Sequence, residues 1–466
     1  MRDQRERRLV SRRTLLTGAG ATALTAAATP IFRRPIAAQQ ATPTRNIAGT
    51  KLKILQWSHF VPNYDKWFDA FAKEWGDTNN VEVTVDHINT ADVPSTIAAE
   101  ISASEGHDLV EHISSLAQYE KSMLDMTDLV TEASAKHGDQ LDMCKKNSFN
   151  PTTNHFYGFC HGFAPDPGDF RKSLWEGVGM ANGPSTWQEL LDGGTKIKSD
   201  QGIQLGLGMS NEIDSRMAAQ ALMWAFDAAV QDEKENVVIN SPETVKAVDF
   251  MTQLFKNTMT DEVFGWNAAS NNQLLIAGQA SYILNSISAY RTAQDDQPDV
   301  AKDIFFTSPL KGPNGTARAH GHAVFIYQIP TYSQYSDTAK EFILHLVDNY
   351  DQATQQSYLY NFPAWPSITP QLTQDGGWLD ADPYKSDPPD KLAVLKTATD
   401  WTFNLGYPGP ANAAIGQVFA EPHLPNMMAR AARGEMSAQD SVAQAEKDIN
   451  EIFTKWRNEG LVGGGQ

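Results

Sequence analysis

The chain has 466 residues, of which 41% are hydrophobic, so it is long enough to fold as two domains with full cores. Its formal net charge of −18 disfavours nucleic acid and anionic membrane surfaces as partners. Because it holds only two cysteines, Cys144 and Cys160, disulfides are excluded as the main source of stability, and the sequence leaves open whether these two pair.

The first residues carry an export pattern. Residues 1–10 are rich in arginine, residues 11–16 (SRRTLL) follow the twin-arginine pattern, and residues 15–32 form a modestly apolar run. We predict a twin-arginine signal peptide over residues 1–38, with a retained membrane anchor as the alternative. Eight arginines against one aspartate and one glutamate give this segment a charge of +6, so taking it from −18 leaves about −24. We therefore expect a periplasmic or extracellular protein.

Strand and helix patterns alternate after a polar stretch, residues 39–50, that predicts a flexible arm. Residues 52–57, 81–85 and 109–113 are typical of strands, and residues 64–75 and 93–101 place apolar side chains on one helical face. This order predicts an α/β domain with a largely parallel sheet. Ligands of such sheets lie beyond the carboxyl ends of strands, which here hold Trp57, His59, Glu111 and His112.

The central stretch, residues 155–175 (HFYGFCHGFAPDPGDFRKSLW), has two prolines and three glycines, so it cannot form a single helix or an uninterrupted central strand. Cys160, His161 and Asp166 raise the alternative of a catalytic site. A structural cysteine beside a histidine in a cleft is the simpler interpretation, because a short motif match seldom identifies an enzyme.

A second α/β unit follows the central stretch. Thr186 and Glu189 have the spacing of a capping box, and a helix is predicted over residues 217–229. Ser241 and Pro242 are typical of a helix start, and residues 274–284 join a helix end to a strand. A last helix is predicted to begin at Ser437.

Several motifs follow the predicted export signal in a fixed order. They are GHDLVEH, FYGF followed by RKSLW, PSTWQELL, INSPE and an apolar run into AGQASYIL. In that order the chain resembles the extracellular solute-binding proteins of ABC importers, in the group that includes maltose-binding protein. The resemblance implies an α/β periplasmic-binding-protein fold of two lobes, each a mostly parallel sheet flanked by helices, with three crossings between lobes. The implied boundaries are residues 51–163 and 310–368 for lobe 1, and residues 164–309 and 369–466 for lobe 2.

The sequence lacks the common catalytic motifs. The sequence has no GxSxG, Walker loop or HExxH motif, and His320 and His322 alone do not complete a zinc site. We therefore expect neither an enzyme nor a bound metal or cofactor. A secreted glycan hydrolase stays open, because paired catalytic carboxylates have no fixed spacing in sequence.

Sugars bind to flat aromatic rings and converging hydrogen-bonding groups, and the chain offers both at its predicted cleft. The candidates for stacking are Trp57, Trp224, Trp266, Trp365 and Tyr407. The remaining candidates are His59, Glu111, His112, His161, Phe163 and Asp166, and, on the resemblance alone, Asn285 and Ser286.

The resemblance implies a monomer that closes its lobes around a sugar or polyol and delivers it to the permease subunits of an ABC importer. Nucleic acid is not expected as a partner. The same architecture also accommodates polyamines, phosphorylated polyols and other small solutes, so the sequence leaves the identity of the solute open.

Overall fold

The computed structural model of the protein describes residues 43–465. The predicted signal peptide and the first four residues of the predicted arm lie outside the described residues. The strands are β1 (Lys51–Trp57), β2 (Glu82–Ile88), β3 (Leu109–His112), β4 (Phe149–Asn150), β5 (His155–Phe156), β6 (Phe159–Pro165), β7 (Gly168–Arg171), β8 (Gln204–Gly206), β9 (Ala280–Leu284), β10 (Ile304–Thr307), β11 (Ala319–Gln328), β12 (Phe362–Pro363) and β13 (Thr402–Phe403).

Helices cover both sheets, and none within residues 43–465 has the length and apolar character that a bilayer span requires. The α-helices are α1 (Asn63–Asn79), α2 (Val93–Ala103), α3 (Thr127–His137), α4 (Asp142–Lys146), α5 (Lys172–Gly177), α6 (Trp187–Gln201), α7 (Ile213–Ala225), α8 (Pro242–Thr258), α9 (Ser270–Ile276), α10 (Ser288–Asp296), α11 (Pro298–Asp303), α12 (Ser336–Asp348), α13 (Tyr350–Gln356), α14 (Pro370–Thr373), α15 (Ala398–Trp401), α16 (Ala413–Ala420), α17 (His423–Ala432) and α18 (Ala438–Asn458). Short 3₁₀ helices lie at Ala117–Ser122, Asp261–Phe264, Pro366–Ile368 and Ala393–Thr397.

The two lobes are built on two sheets, and both sheets are mixed. The first has the order β12-β6-β11-β3-β1-β2, with β13 on β11, and the second has the order β10-β7-β9-β8. Strand β1 is parallel to β2 and β3, but β11 is antiparallel to β3 and β6. The prediction of mostly parallel sheets is therefore wrong. Strands β6 and β7, on either side of the first passage, pair antiparallel with their neighbours, and such pairing depends on how distant segments meet rather than on a local pattern.

The chain passes between the two sheets at three places. The first is Asp166 and Pro167, between β6 and β7. The second lies in residues 312–318, because Lys311 still pairs with Thr186 before β11 begins. The third follows β13, which pairs with β11 in the first sheet. This last passage differs from the predicted boundary at residue 369, because residues 402–403 still add a strand to the first sheet.

Local helix signals hold well. The hydroxyl of Thr186 accepts a hydrogen bond from the Glu189 N–H at 3.0 Å, which confirms the start of α6. Ser241 and Ser437 cap α8 and α18 in the same way, with distances of 3.1 Å in both cases. Each hydroxyl satisfies a backbone donor that the first helical turn leaves without a partner.

The described part of the predicted flexible arm, residues 43–50, packs against the first lobe. Arg45 forms ion pairs with Glu132 at 2.7 Å and with Glu341 at 3.0 Å, and the side chain of Ile47 is buried in the core. Glu341 also accepts hydrogen bonds from the backbone N–H groups of Thr44 and Arg45. Polar composition predicted flexibility here, but charge pairing and one buried aliphatic side chain hold the segment in place.

We expect Arg45→Ala to lower the free energy of unfolding by about 1.5–3 kcal/mol, the usual range for hydrogen bonds to charged groups. The substitution also leaves Glu341, which is 7% exposed, without its cationic partner. Chemical denaturation of the two proteins measures the difference. An unchanged midpoint would mean that residues 43–50 add nothing to stability.

Candidate functional site

A cavity of about 340 Å³ lies between the two lobes and is lined by both. Its first-lobe wall follows the carboxyl ends of β2 and β3, where parallel strands commonly present ligand-binding loops. Its second-lobe wall combines the start of α7, the loop before α9, and α16. The lining residues are Asn89, Thr90, Ala91, Pro94, His112, Ile113, Ser114, Ser115, Leu116, Asn211, Glu212, Ile213, Arg216, Trp266, Asn267, Ala268, Gly416, Phe419 and Ala420.

Trp266 provides an aromatic wall of this cavity. Its side chain is partly buried against the second core, and its carbonyl accepts a hydrogen bond from the Ser210 hydroxyl at 2.7 Å. A Cβ placed on Gly208 would lie 3.4 Å from Cε3 of the indole and 2.7 Å from a Glu212 oxygen. The missing side chain at Gly208 therefore leaves room for the indole and the carboxylate side by side.

His112 lies on the opposite wall and is held in one orientation. Its Nδ1 lies 3.2 Å from the backbone N and 3.1 Å from the hydroxyl of Ser114, and the ring also meets the Thr90 backbone. Burial lowers the pKa of His112 to about 4. At neutral pH the ring is therefore uncharged and contributes a hydrogen-bonding surface rather than a cation.

Glu212 and Arg216 are the charged side chains that line the cavity. Glu212 caps α7, accepting hydrogen bonds from the N–H groups of Asp214 at 2.7 Å and Ser215 at 2.5 Å. Burial raises the pKa of the Glu212 carboxyl. Arg216 donates from Nη2 to the Asn211 side chain at 2.6 Å. The Glu212 carboxylate is thus occupied by hydrogen bonds to the start of α7, whereas the Arg216 guanidinium has one hydrogen bond to a side chain within residues 43–465.

The arrangement of a ligand-sized cavity between two α/β lobes agrees with the comparison of the sequence with known families. The family model described as bacterial extracellular solute-binding protein matches residues 61–353, more than half of the chain. The chain belongs to this family. Among curated proteins, none matches this solute-binding protein significantly.

Solved structures of the same fold cover nearly all of the described chain. Maltose-bound MalE3 of T. maritima has 18% identity and a TM-score of 0.71, over 86% of this chain and 100% of that one. A sugar transporter from Arthrobacter chlorophenolicus with bound laminaribiose has 16% identity and a TM-score of 0.71, over 86% and 99%. A ribitol-bound solute-binding protein from Agrobacterium radiobacter has 16% identity and a TM-score of 0.70, over 88% and 100%. These identities show a shared fold.

Of the residues predicted to bind ligand in this solute-binding protein, His112 and Trp266 line the cavity. Glu111 does not, because successive residues of a strand point to opposite faces and Glu111 immediately precedes His112 in β3. Its carboxylate pairs with His161 Nε2 at 2.6 Å and also accepts a hydrogen bond from the Gln56 amide. The His161 ring stacks on Tyr327, with centroids 4.8 Å apart. Glu111 and His161 thus form a polar network inside the first lobe.

Trp57 and His59 are buried beside the first sheet. The two rings lie 4.7 Å apart, and His59 Nε2 meets the Asn361 side chain at 2.9 Å. Burial lowers the pKa of His59 to about 3. Trp57 is the last residue of β1 and His59 follows it, as predicted, but their side chains pack inward and do not line the cavity.

Trp365 and Phe163 also pack in the core of the first lobe. The Trp365 ring stacks on Phe159 at 5.4 Å, and its indole N–H donates to the Ser134 hydroxyl at 3.3 Å. Phe163 packs against Phe362, with centroids 5.5 Å apart. Both side chains are at most 1% exposed, so they stabilise the sheet rather than contact a solute in this cavity.

Asp166, Asn285 and Ser286 are buried where the two lobes meet. Asp166 Oδ1 lies 3.1 Å from His322 Nδ1, and its other oxygen has no hydrogen-bond partner among the described residues. Asn285 donates to the Asn272 side chain and accepts from the Ser286 N–H. This cluster lies outside the lining of the cavity. Within residues 43–465, no group of three or more His, Cys, Asp or Glu side chains is placed to hold a metal ion.

Trp224 and Tyr407 lie behind the cavity. Trp224 stacks on His320 at 6.3 Å and meets the edge of Tyr407 at 5.9 Å, and the other face of His320 packs on Phe419 at 5.3 Å. Through Phe419, these rings support one wall of the cavity. Trp224 and Tyr407 contact other rings and do not line this cavity, where stacking on a sugar was predicted.

Sequence reasoning missed most of the second-lobe wall. Arg216 lies one turn into a helix whose predicted start, residue 217, came too late. Gly416 and Phe419 lie on a short apolar helix that had no predicted place in the cleft. Ser114 carried a usable signal, because it lies just beyond the carboxyl end of β3, where parallel strands commonly present ligand-binding loops.

Proposed function

We propose that this solute-binding protein binds a carbohydrate or a related polyol in the cavity between its lobes. The observation that carries the proposal is the composition of that cavity. The Trp266 indole forms one wall, and neutral hydrogen-bonding side chains surround it, namely Asn89, Thr90, His112, Ser114, Ser115, Asn211 and Asn267. A sugar presents apolar C–H faces and a ring of hydroxyls, which such a surface complements.

The bound forms of related structures support the same class of solute. The three neighbours described above hold maltose, laminaribiose and ribitol. They share only the fold with this chain, so the class of solute rests on the cavity and these bound forms together.

Binding by hinge closure is part of the proposal. The solute would contact both lobes only when they are closed, so it would favour the closed form by its differential affinity. The closed protein would then deliver its solute to the permease subunits of an ABC importer, as a monomer exported through the twin-arginine route. Small-angle scattering is expected to show a smaller radius of gyration at saturating solute, and an unchanged radius would contradict closure.

Hydrolysis of glycans is not favoured by the cavity. Glycosidases use two carboxyl groups that flank the scissile bond. Among the described residues that line the cavity, Glu212 is the one carboxylate, and it caps α7. The same observation disfavours a polyamine, whose ammonium groups would need several free carboxylates.

A thermal-shift screen of sugars and polyols tests the proposal. A solute that binds only the folded protein stabilises it by RT ln(1 + [L]/Kd), about 2.7 kcal/mol at a concentration of 100 Kd. We expect at least one sugar or polyol to raise the melting temperature, and polyamines to leave it unchanged. Stabilisation by polyamines alone would contradict the proposal.

A further inference from the structure

Arg216 is the one arginine or lysine among the described residues that line the cavity. Its Nη2 donates to Asn211 at 2.6 Å, which is its sole side-chain hydrogen bond within residues 43–465. Its Nε is buried and has no hydrogen-bond partner in that part of the chain. A buried N–H donor without an acceptor is costly, so the Nε donor of Arg216 favours a ligand group that accepts from it.

Glu212, four residues earlier, does not fill this role. Its carboxylate accepts from two backbone N–H groups at the start of α7 and from the Ser215 hydroxyl. The positive end of the helix dipole further offsets its charge. Within residues 43–465 Glu212 forms no direct ion pair with Arg216, so its charge acts on the guanidinium only from a distance.

The wall opposite adds no charge of its own. It offers His112, Ser114, Ser115, Asn89 and Thr90, and the His112 ring is neutral at physiological pH. The cavity therefore combines the rings of Trp266 and Phe419 with several neutral hydrogen-bonding groups, the Glu212 carboxylate engaged by α7, and one guanidinium. A single guanidinium matches a carboxylate, which it binds through two parallel hydrogen bonds.

We propose that the solute is an acidic sugar, a uronate or a short oligomer of uronates, whose carboxylate is bound by Arg216. This inference rests on the proposed function, because it assigns the charge of a solute in the same cavity. One guanidinium fits the single negative charge of a carboxylate, whereas a phosphate dianion is commonly bound by several basic groups or backbone N–H groups. The protein has a strongly negative net charge, which repels acidic solutes in general. The Arg216 guanidinium attracts an acidic solute locally, within the cavity.

The test uses matched pairs of probes, each an acid with its neutral counterpart. These are glucuronate with glucose, galacturonate with galactose, and digalacturonate with galactobiose, and glucose 6-phosphate is added as the phosphorylated probe. Titration calorimetry on the full chain is expected to give at least about 10-fold tighter binding for one acid than for its neutral counterpart, the range of a charge-assisted hydrogen bond. This preference should weaken as salt is added, because salt screens the ion pair.

Arg216→Gln is expected to weaken binding of the preferred acid by about 10- to 100-fold and to remove the preference over the neutral sugar. Arg216→Lys keeps the charge but loses the paired donors, so an intermediate affinity is expected. Lys246→Gln is the matched control. It removes one positive charge from the same lobe at an exposed position of α8, so the affinity should stay unchanged.

The outcomes separate this inference from the proposed function. If neutral sugars bind as tightly as their acids, or if Arg216→Gln leaves the affinity for the acid unchanged, the inference is wrong and the proposed function stands. Binding of glucose 6-phosphate in preference to every uronate also overturns the carboxylate assignment. If neither acids nor neutral sugars bind, both proposals fail.

Discussion

Gly416→Leu is expected to weaken solute binding by at least about 100-fold, which corresponds to about 2.7 kcal/mol. Gly416 lines the cavity from α16, and a Cβ at this position would lie 2.8 Å from Gln118 Oε1 and 3.4 Å from the Ser115 carbonyl of the other lobe. A methyl group displaces only the flexible Gln118 side chain. A leucine also fills the cavity and presses on the first-lobe backbone, so it opposes the closed form and the solute together.

Gly177→Leu provides the control for this effect. Gly177 ends α5 in the second lobe, and a Cβ there meets nothing within 4 Å. We expect this variant to bind with unchanged affinity, while Gly416→Ala shows a smaller loss than Gly416→Leu. Full affinity in Gly416→Leu would show that the solute binds elsewhere or that the closed form does not bring α16 against Gln118.

Asp382→Ala is expected to lower the free energy of unfolding by about 3–5 kcal/mol, the usual cost of removing one partner of a buried ion pair. Asp382 Oδ2 lies 2.7 Å from Arg291 Nη1, and the two side chains are 0% and 3% exposed. The guanidinium carbon also lies 5.6 Å from the Tyr290 ring and 5.4 Å from the Tyr384 ring. Without Asp382 the cation stays buried between these rings with its charge uncompensated.

Asp299→Ala is the matched control, because Asp299 forms a fully exposed ion pair with Lys302 at 3.5 Å. Exposed pairs contribute about 0–1 kcal/mol, so denaturant titration should hardly separate this variant from the parent. The double variant Arg291→Met with Asp382→Leu should recover much of the lost stability, since it leaves no buried charge. Equal effects of Asp382→Ala and Asp299→Ala would contradict the account of this pair.

Local signals in the sequence predicted much of the fold. Helix starts at Thr186, Ser241 and Ser437 follow from side-chain oxygens that cap backbone donors, which is chemistry confined to a few neighbouring residues. Strand β1 follows from its alternating pattern. The mixed direction of both sheets did not follow, because strand direction depends on how distant segments pair.

The candidate site was harder to predict for a similar reason. Trp57 ends β1, as predicted, whereas Trp365 follows β12 inside the first lobe, and position in the chain does not set the direction of either side chain. Trp266 lines the cavity from the loop before α9, and His112 lines it from the carboxyl end of β3. Arg216 and Gly416 join them only through the packing of α7 and α16, which no local pattern reveals.

The central claim is that the solute binds against Trp266 in the cavity between the lobes. Titration calorimetry of Trp266→Leu and Trp365→Leu, with a sugar that stabilises the parent protein, tests it most directly. We expect Trp266→Leu to lose about 10-fold or more in affinity, because leucine removes the flat stacking surface. Trp365→Leu should keep its affinity and lose thermal stability, since this ring packs on Phe159 in the core. Unchanged binding by Trp266→Leu together with lost binding by Trp365→Leu would contradict the assignment of the site.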